Sequence, residues 1–493
     1  DELLREDRVP ESVGEILSSP LKKLPTEAEL RSAGARLVTT DGFSCTSCHD
    51  IGVWKASPAK PAARGTDLAM CGQRLRKEWF LRWLRNPARI APNMEMPSLQ
   101  VPVKGVLGGD LDAQLLALWT VMNQPGFTPP SSAALRVLAG DPGGRQPIAY
   151  LTDVVIADGK SYIKPLLVAL PNQVNFLWDM EENRLARFWT GEAARQYTRG
   201  KTWYWHAEGL SLLSLREGQP ELLLVRNGKR HSPIVMGQFA TEFDFLQVDA
   251  QQISFRHRLR YPFDNGETRV VSFTQTFRPL STQSGDALVW GFSREIVAEG
   301  RLEGETIEFI EPREQTRTGG VRDAIVAVQV DAGRAIYHYL TTEPPPAALQ
   351  QLASPLSEAG EADRRLVPGF IARRLPLPIE IMPTAIAWRP DGAMGVASLR
   401  GRIWQAKDLD GDGLEESAQP FTEEFAAPYG LAGRVDGYDL LAKGGLYRAI
   451  DRNGDGVAEE VRLLASGWGH TDDYHDWAVG LPSDGRGGYY VAL

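Results

Sequence analysis

The sequence predicts a multidomain fold: a short all-α domain, then an all-β domain of β-sandwich or supersandwich type, then an incomplete β-propeller. Three observations carry that prediction. Between about Thr26 and Gln124 apolar residues recur at three- and four-residue spacing. From about Ala133 to Thr342 they alternate instead, as in half-buried strands. Beyond residue 381 a unit repeats after 43 residues, the length of a four-stranded propeller blade. The length of 493 residues is also more than one ordinary domain holds.

In chain order, residues 1–25 are charged and punctuated by proline, and read as a leader. The all-α domain, 26–125, holds predicted helices at 27–38 (capped by Thr26), 74–84 and 111–122. A linker with Pro129 and Pro130 follows. In the β-rich domain, 133–342, runs at 173–178 and 185–189 flank a polar turn at 181–183, a hairpin signature. The runs 253–260 and 269–277 flank Asp264, Asn265 and Gly266 in the same way. Pro344, Pro345 and Pro346 open a second linker, 343–380. In the last block, 381–493, Gly401-Arg-Ile-Trp-Gln-Ala-Lys-Asp408 matches Gly445-Leu-Tyr-Arg-Ala-Ile-Asp451, and a third unit starts near Trp477. Two and a half blades fall short of the four that closure needs, and the chain starts at Asp1. The expectation is a truncated piece of a longer exported protein, its signal peptide removed or cut off.

Composition narrows the function. With 54 Lys+Arg against 63 Asp+Glu the net charge is −9, which argues against a protein built to grip nucleic acid. The longest apolar stretches, such as 166–170, are strand-sized, so no membrane span is expected. Three cysteines cannot form a disulfide framework, so the position of each one is informative.

Two of them stand in Cys45-Thr-Ser-Cys48-His49, the strongest signal in the chain. Two thiols at this spacing can form thioethers to the two vinyl groups of a heme, and the adjacent His49 then ligates the iron axially. A redox dithiol would normally sit in a βαβ setting, which is absent around this pair. Cys71 reads as a free buried thiol, or as a bond to another chain.

These flanks resemble the class I cytochrome c family over about residues 26–125. Ala33-Gly-Ala-Arg-Leu-Val is similar to the family's N-terminal helix, Arg76-Lys-Glu-Trp79-Phe-Leu-Arg-Trp83-Leu-Arg-Asn-Pro87 to its middle helix, and 111–122 to its closing helix. Asn93-Met94-Glu95-Met96-Pro97 resembles the Met-Pro loop that supplies the sixth ligand. The resemblance implies Met96 as that ligand, with Met94 as the fallback. A soft, neutral thioether favours reduced iron, and a His/Met pair with no open position suits electron transfer to a redox partner protein. Trp79 and Trp83 lie one turn apart and are expected to pack against the heme or core.

The repeat carries a second candidate site. Asp408, Asp410 and Asp412 alternate before Gly413; Asp451, Asn453 and Asp455 do so before Gly456. Alternating oxygen ligands closed by a glycine turn can wrap Ca²⁺, with Glu416 and Glu459 at the ninth loop positions. The twelfth positions are Gln419 and Arg462, so an EF-hand is excluded. Metal-free hairpin turns are the alternative.

The segment 467–477 gathers His470, His475, Asp476 and aromatics in a blade-connecting loop. A neutral His475 beside Asp476 is a reasonable general base; a loop tied by His–Asp hydrogen bonds is the alternative. Pro383-Thr-Ala-Ile-Ala-Trp-Arg-Pro-Asp391-Gly, Ala427-Pro-Tyr-Gly-Leu and His475-Asp-Trp-Ala-Val-Gly-Leu-Pro resemble the propeller domains of periplasmic sugar or alcohol dehydrogenases, often fused to c-type cytochromes. That resemblance implies a carbohydrate or alcohol substrate, Ca²⁺, pyrroloquinoline quinone and a periplasmic location. The middle block resembles the β-rich region of such fusions, and Trp203, Tyr204 and Trp205 offer faces for stacking on sugar rings or for a strand core. The expected function is electron transfer through one heme, linked to oxidation in the β domains. A glycan- or protein-binding module carrying that heme domain is the alternative.

Overall fold

The computed structural model describes residues 25–40, 42–56, 65–94, 96–130, 136–144, 147–199, 202–215, 220–234, 241–284, 287–300, 304–310, 314–317, 325–331, 333–342, 360–361, 367–378, 381–422, 425–466, 468–473 and 475–493. The predicted leader, but for Pro25, and most of the second linker lie outside them. The chain divides into two compact units, residues 1–135 with 197–203, and 136–196 with 204–493. Strand is the dominant regular structure.

The regular elements of the first unit's 25–130 stretch are helical. Helix α1 (Glu27–Leu37) starts where Thr26 predicts. Glu29 N donates to Thr26 Oγ1 at 3.2 Å and Thr26 N to Glu29 Oε2 at 2.6 Å, a reciprocal capping box. The predicted 74–84 helix is two helices, α2 (Cys71–Arg74) and α3 (Lys77–Arg85). They are separated by Leu75 and Arg76, both extended. Helix α4 (Pro87–Ile90) follows, begun by Asn86, whose Oδ1 accepts from Arg89 N. Helix α5 (Leu111–Met122) is capped by Asp110. Leu37, Phe80, Leu81, Leu84, Leu115 and Leu118 form its buried apolar centre.

The second unit is built of β-sheets whose strand pairs are mostly antiparallel. A six-stranded sheet runs in the order Glu314–Arg317, Leu210–Leu215, Arg184–Thr190, Val174–Asp179, Pro165–Ala169, Ala149–Leu151. It shares its core with a ten-stranded sheet: Phe176 stacks on Phe277 at 4.3 Å, and Trp178 packs on Phe255. Two expected hairpins are present. Asp179 pairs Arg184 across the first, and Pro262 pairs Thr268 across the second.

Beyond residue 381 the repeat forms two four-stranded meanders. The first (Pro383–Trp388, Met394–Ser398, Ile403–Lys407, Ser417–Pro420) is a sheet of its own. The second (Gly430–Arg434, Gly437–Ala442, Gly445–Ile450, Glu460–Ala465) is part of the ten-stranded sheet. Its last strand pairs Thr241–Val248 through Leu246↔Val461 and Gln247↔Glu460, so pairing links residues from both sides of the predicted 343–380 linker. Among the described residues no sheet closes into a barrel.

Candidate functional site

The Cys-x-x-Cys-His segment is a single 3₁₀ turn, Cys45–Ser47, entered through a left-handed Ser44. Cys48 and His49 N both donate back to Cys45 O, so the turn presents both thiols and the imidazole from one short loop. Cys45 lies against the apolar centre, and burial pushes its thiol up to about 12. Burial raises Cys48 as well, and lifts Cys71 to about 11. All three are therefore protonated thiols at pH 7 in the metal-free chain.

His49 is held by contacts that the motif does not contain. Its Nδ1 lies 2.7 Å from Thr66 O. That geometry places the proton on Nδ1 and leaves Nε2 with its lone pair free, the tautomer an axial ligand requires. Gly65 lies flat on the ring; a Cβ there would come within 2.2 Å of His49 Cε1, so any larger residue would displace the imidazole. Gly65 N also donates to Cys48 O at 2.7 Å.

The two methionines separate. Met94 is 40% exposed, whereas Met96 packs against the apolar centre. Trp83 Nε1 donates to Met96 Sδ at 3.1 Å. The chain after Met96 is tied to helix α3 by Leu99 N donating to Leu84 O at 2.8 Å. Further on it is tied to α5 by the buried Gln114, whose amide bonds Val103 N, Val103 O and Val106 O. Trp54 Nε1 is buried without a hydrogen-bond partner among the described residues. Two thiols, an imidazole Nε2 and a methionine thioether are the donor set that a covalent heme would need. Sequence reasoning missed Gly65, Thr66, Trp54 and Gln114.

The acidic turns repeat bond for bond. Asp408 accepts from Gly411 N and Gly413 N, and Asp451 from Gly454 N and Gly456 N. Asp410 and Asn453 each accept from the residue two ahead, as do Asp412 and Asp455. Glu416 accepts from Leu409 N and Glu459 from Arg452 N. Ligand oxygens of Asp408, Asp410, Asp412 and Glu416 lie within 4.8 Å of one another, as do those of Asp451, Asp455 and Glu459. The first set is exposed; the second includes the buried Asp451, with Arg389 3.7 Å away as a competing cation. Both can hold a hard cation, the first with one more carboxylate.

In the 468–477 loop, His475 and Asp476 are not paired. The His475 side chain is 63% exposed, and its Nδ1 lies 3.2 Å from Asp473 Oδ1. Asp476 accepts instead from Thr471 N and Oγ1, at 2.7 and 2.6 Å, which hold it below the usual carboxylate range. The buried Lys443 donates to Thr471 O and Asp473 O and pins the loop. His470 is the half-buried imidazole, pushed down to about 4 by burial and then by Lys164 and Lys443. A cavity of about 410 Å³ opens nearby, lined by Arg448, Trp468 and Tyr489 among others. Behind it the buried Asp439 accepts from Arg448 at 2.7 and 3.0 Å and from Tyr489 Oη at 2.8 Å.

One family resemblance bears on this region. Residues 383–481 match a family model described as a domain of unknown function (DUF7133). The match takes in both meanders, both acidic turns and the His475 loop. No curated protein matches the chain.

Proposed function

We propose that the chain is an exported, periplasmic c-type electron-transfer protein. Cys45 and Cys48 would hold one heme as thioethers, and His49 and Met96 would ligate its iron. The observation that carries this reading is the His49 Nδ1–Thr66 O contact beside the two thiols, which leaves Nε2 free to ligate. When bound, the heme supplies one-electron exchange with a redox partner protein. The protein's own part is to fix the imidazole tautomer, exclude water with the α1, α3 and α5 side chains, and hold the thioether inward. The β-rich part, with its two blade-like meanders of an incomplete propeller, is the proposed source of electrons from a carbohydrate or alcohol. Ca²⁺ in the Asp408 and Asp451 turns would stiffen those meanders. The resemblance also implies pyrroloquinoline quinone, for which His475, exposed and beside Asp473, is the residue named, and no step is derived through the quinone.

The cavity lined by Arg448, Trp468 and Tyr489 favours a second reading of the β-rich part, as a binding module for glycans or a partner protein. Two measurements decide. Protein exported from a host that attaches heme covalently should keep its α band through acid–acetone extraction; loss of the band refutes the heme reading. Reduction of that heme by one member of a sugar and alcohol panel supports oxidation, while glycan binding with no reduction supports the module.

A further inference from the structure

The contact between Trp83 and Met96 has no counterpart in the motifs that point to the heme. Trp83 sits on α3 between Phe80, Leu81 and Leu84, all buried, so its helix cannot rotate without opening the apolar centre. Its ring is stacked on Trp79 at 5.1 Å between centroids and 13° between planes, which fixes the direction of the indole N–H. That N–H meets Met96 Sδ at 3.1 Å, short for a hydrogen bond to sulfur. Met96 has an unbranched side chain with three rotatable bonds, and such a thioether does not hold one position by itself.

We propose that Trp83 is a positioning residue that selects Met96 over Met94 as the thioether ligand and raises the reduction potential of the site. This rests on the heme reading above. A thioether sulfur carries two lone pairs: one accepts the indole N–H, and the other is left for iron. The hydrogen bond draws electron density from the sulfur, which weakens its donation to oxidised iron more than to reduced iron, and the reduced state gains. It also holds the sulfur in one rotamer, so ligand loss requires breaking the bond as well as the coordination. Met94 has no such donor among the described residues and is exposed.

The test compares the intact heme-loaded chain with Trp83→Phe, Trp79→Phe, Met96→Leu and Met94→Leu variants. Trp83→Phe should lower the midpoint potential and bring loss of the far-red sulfur-to-iron band to a lower denaturant concentration. Trp79→Phe, which keeps the N–H, should leave the potential near wild type. Met96→Leu should abolish the band and Met94→Leu preserve it. Should Trp83→Phe fail to load heme, ¹⁵N spectra of the wild type serve instead. They should show one indole N–H protected from exchange that shifts in Met96→Leu. An unchanged potential and band in Trp83→Phe, or the absence of a protected indole signal that shifts in Met96→Leu, overturns this inference and leaves the heme reading intact. A wild-type chain without covalent heme overturns both.

Discussion

At the scale of single residues, the most demanding group outside the candidate sites is His257, buried in the core between the two large sheets. Gln275 Nε2 lies 3.1 Å from its Nε2, while Gln275 Oε1 accepts from Arg294 Nε at 2.9 Å. The amide must therefore donate to the imidazole, which puts the imidazole proton on Nδ1, where it has no partner among the described residues. Arg294 itself is paired with Glu221 at 2.5 Å and Tyr339 at 3.1 Å and lies over the Trp178 ring. Burial, and then the Arg294 charge, push His257 down to about 3 from an ordinary 6.5. The folded value lies below the unfolded one, so the unfolded chain binds more protons between them. Stability is then full above about pH 6.5 and falls as pH drops toward 3, by about 1.4 kcal/mol per pH unit from this group. Urea unfolding at pH 7 and pH 5 should show about 2 kcal/mol more loss in wild type than in His257→Gln. Equal losses would mean that His257 charges without cost. None of this was legible in the sequence, where His257 is one polar residue in an alternating strand.

At the scale of elements, helix starts were more legible than helix crossings. Thr26 marks a start in the sequence because a cap bonds backbone within three residues of itself; Asn86 and Asp110 cap their helices in the same way in the structure. The break between α2 and α3 was not legible, since Leu75 continues the helical apolar period yet packs on the apolar centre from extended backbone. The crossing of α1 and α5 depends on Gly34. A Cβ there would lie 2.3 Å from Ala117 O and 2.7 Å from Val121 Cγ1. Alanine at 34 gains helix propensity worth about 1 kcal/mol but forces the helices apart, which costs about 1–3 kcal/mol. Thermal melts should show Gly34→Ala less stable than wild type, and a stabilised variant would contradict the close crossing. In the last block, the 43-residue repeat in sequence became a repeat in hydrogen bonds, because each Asp turn closes on its own backbone.

At the scale of the whole molecule, the strand Glu460–Ala465 matters most. The repeat marks it as the outer strand of a meander, with one exposed edge. In the structure that edge is occupied by Thr241–Val248, so the second meander extends the sandwich's larger sheet. Val461, 3% exposed, pairs Ala449 on one side and Leu246 on the other. Val461→Asp buries a carboxylate with no countercharge built for it and should cost at least about 3 kcal/mol. Hydrogen exchange should then quicken in both Thr241–Val248 and Gly445–Ile450. Loss of protection in one strand alone would show that the two are not one cooperative unit.

The sequence by itself determined what depends on neighbours along the chain: the thiol spacing and adjacent imidazole, the helix caps, the hairpin turns and the acidic repeat. Thiol spacing, capping and turn closure are each set over a few residues, so their pattern can be read without coordinates. Only the tertiary structure decided which groups complete those patterns. Thr66 and Gly65 reach His49, Trp83 separates Met96 from Met94, and Asp473 rather than Asp476 meets His475. It also decided that a strand from 241–248 covers the edge of one from 460–465. Such contacts join residues distant in sequence or set by side-chain direction, and burial of apolar surface selects them without leaving a local pattern.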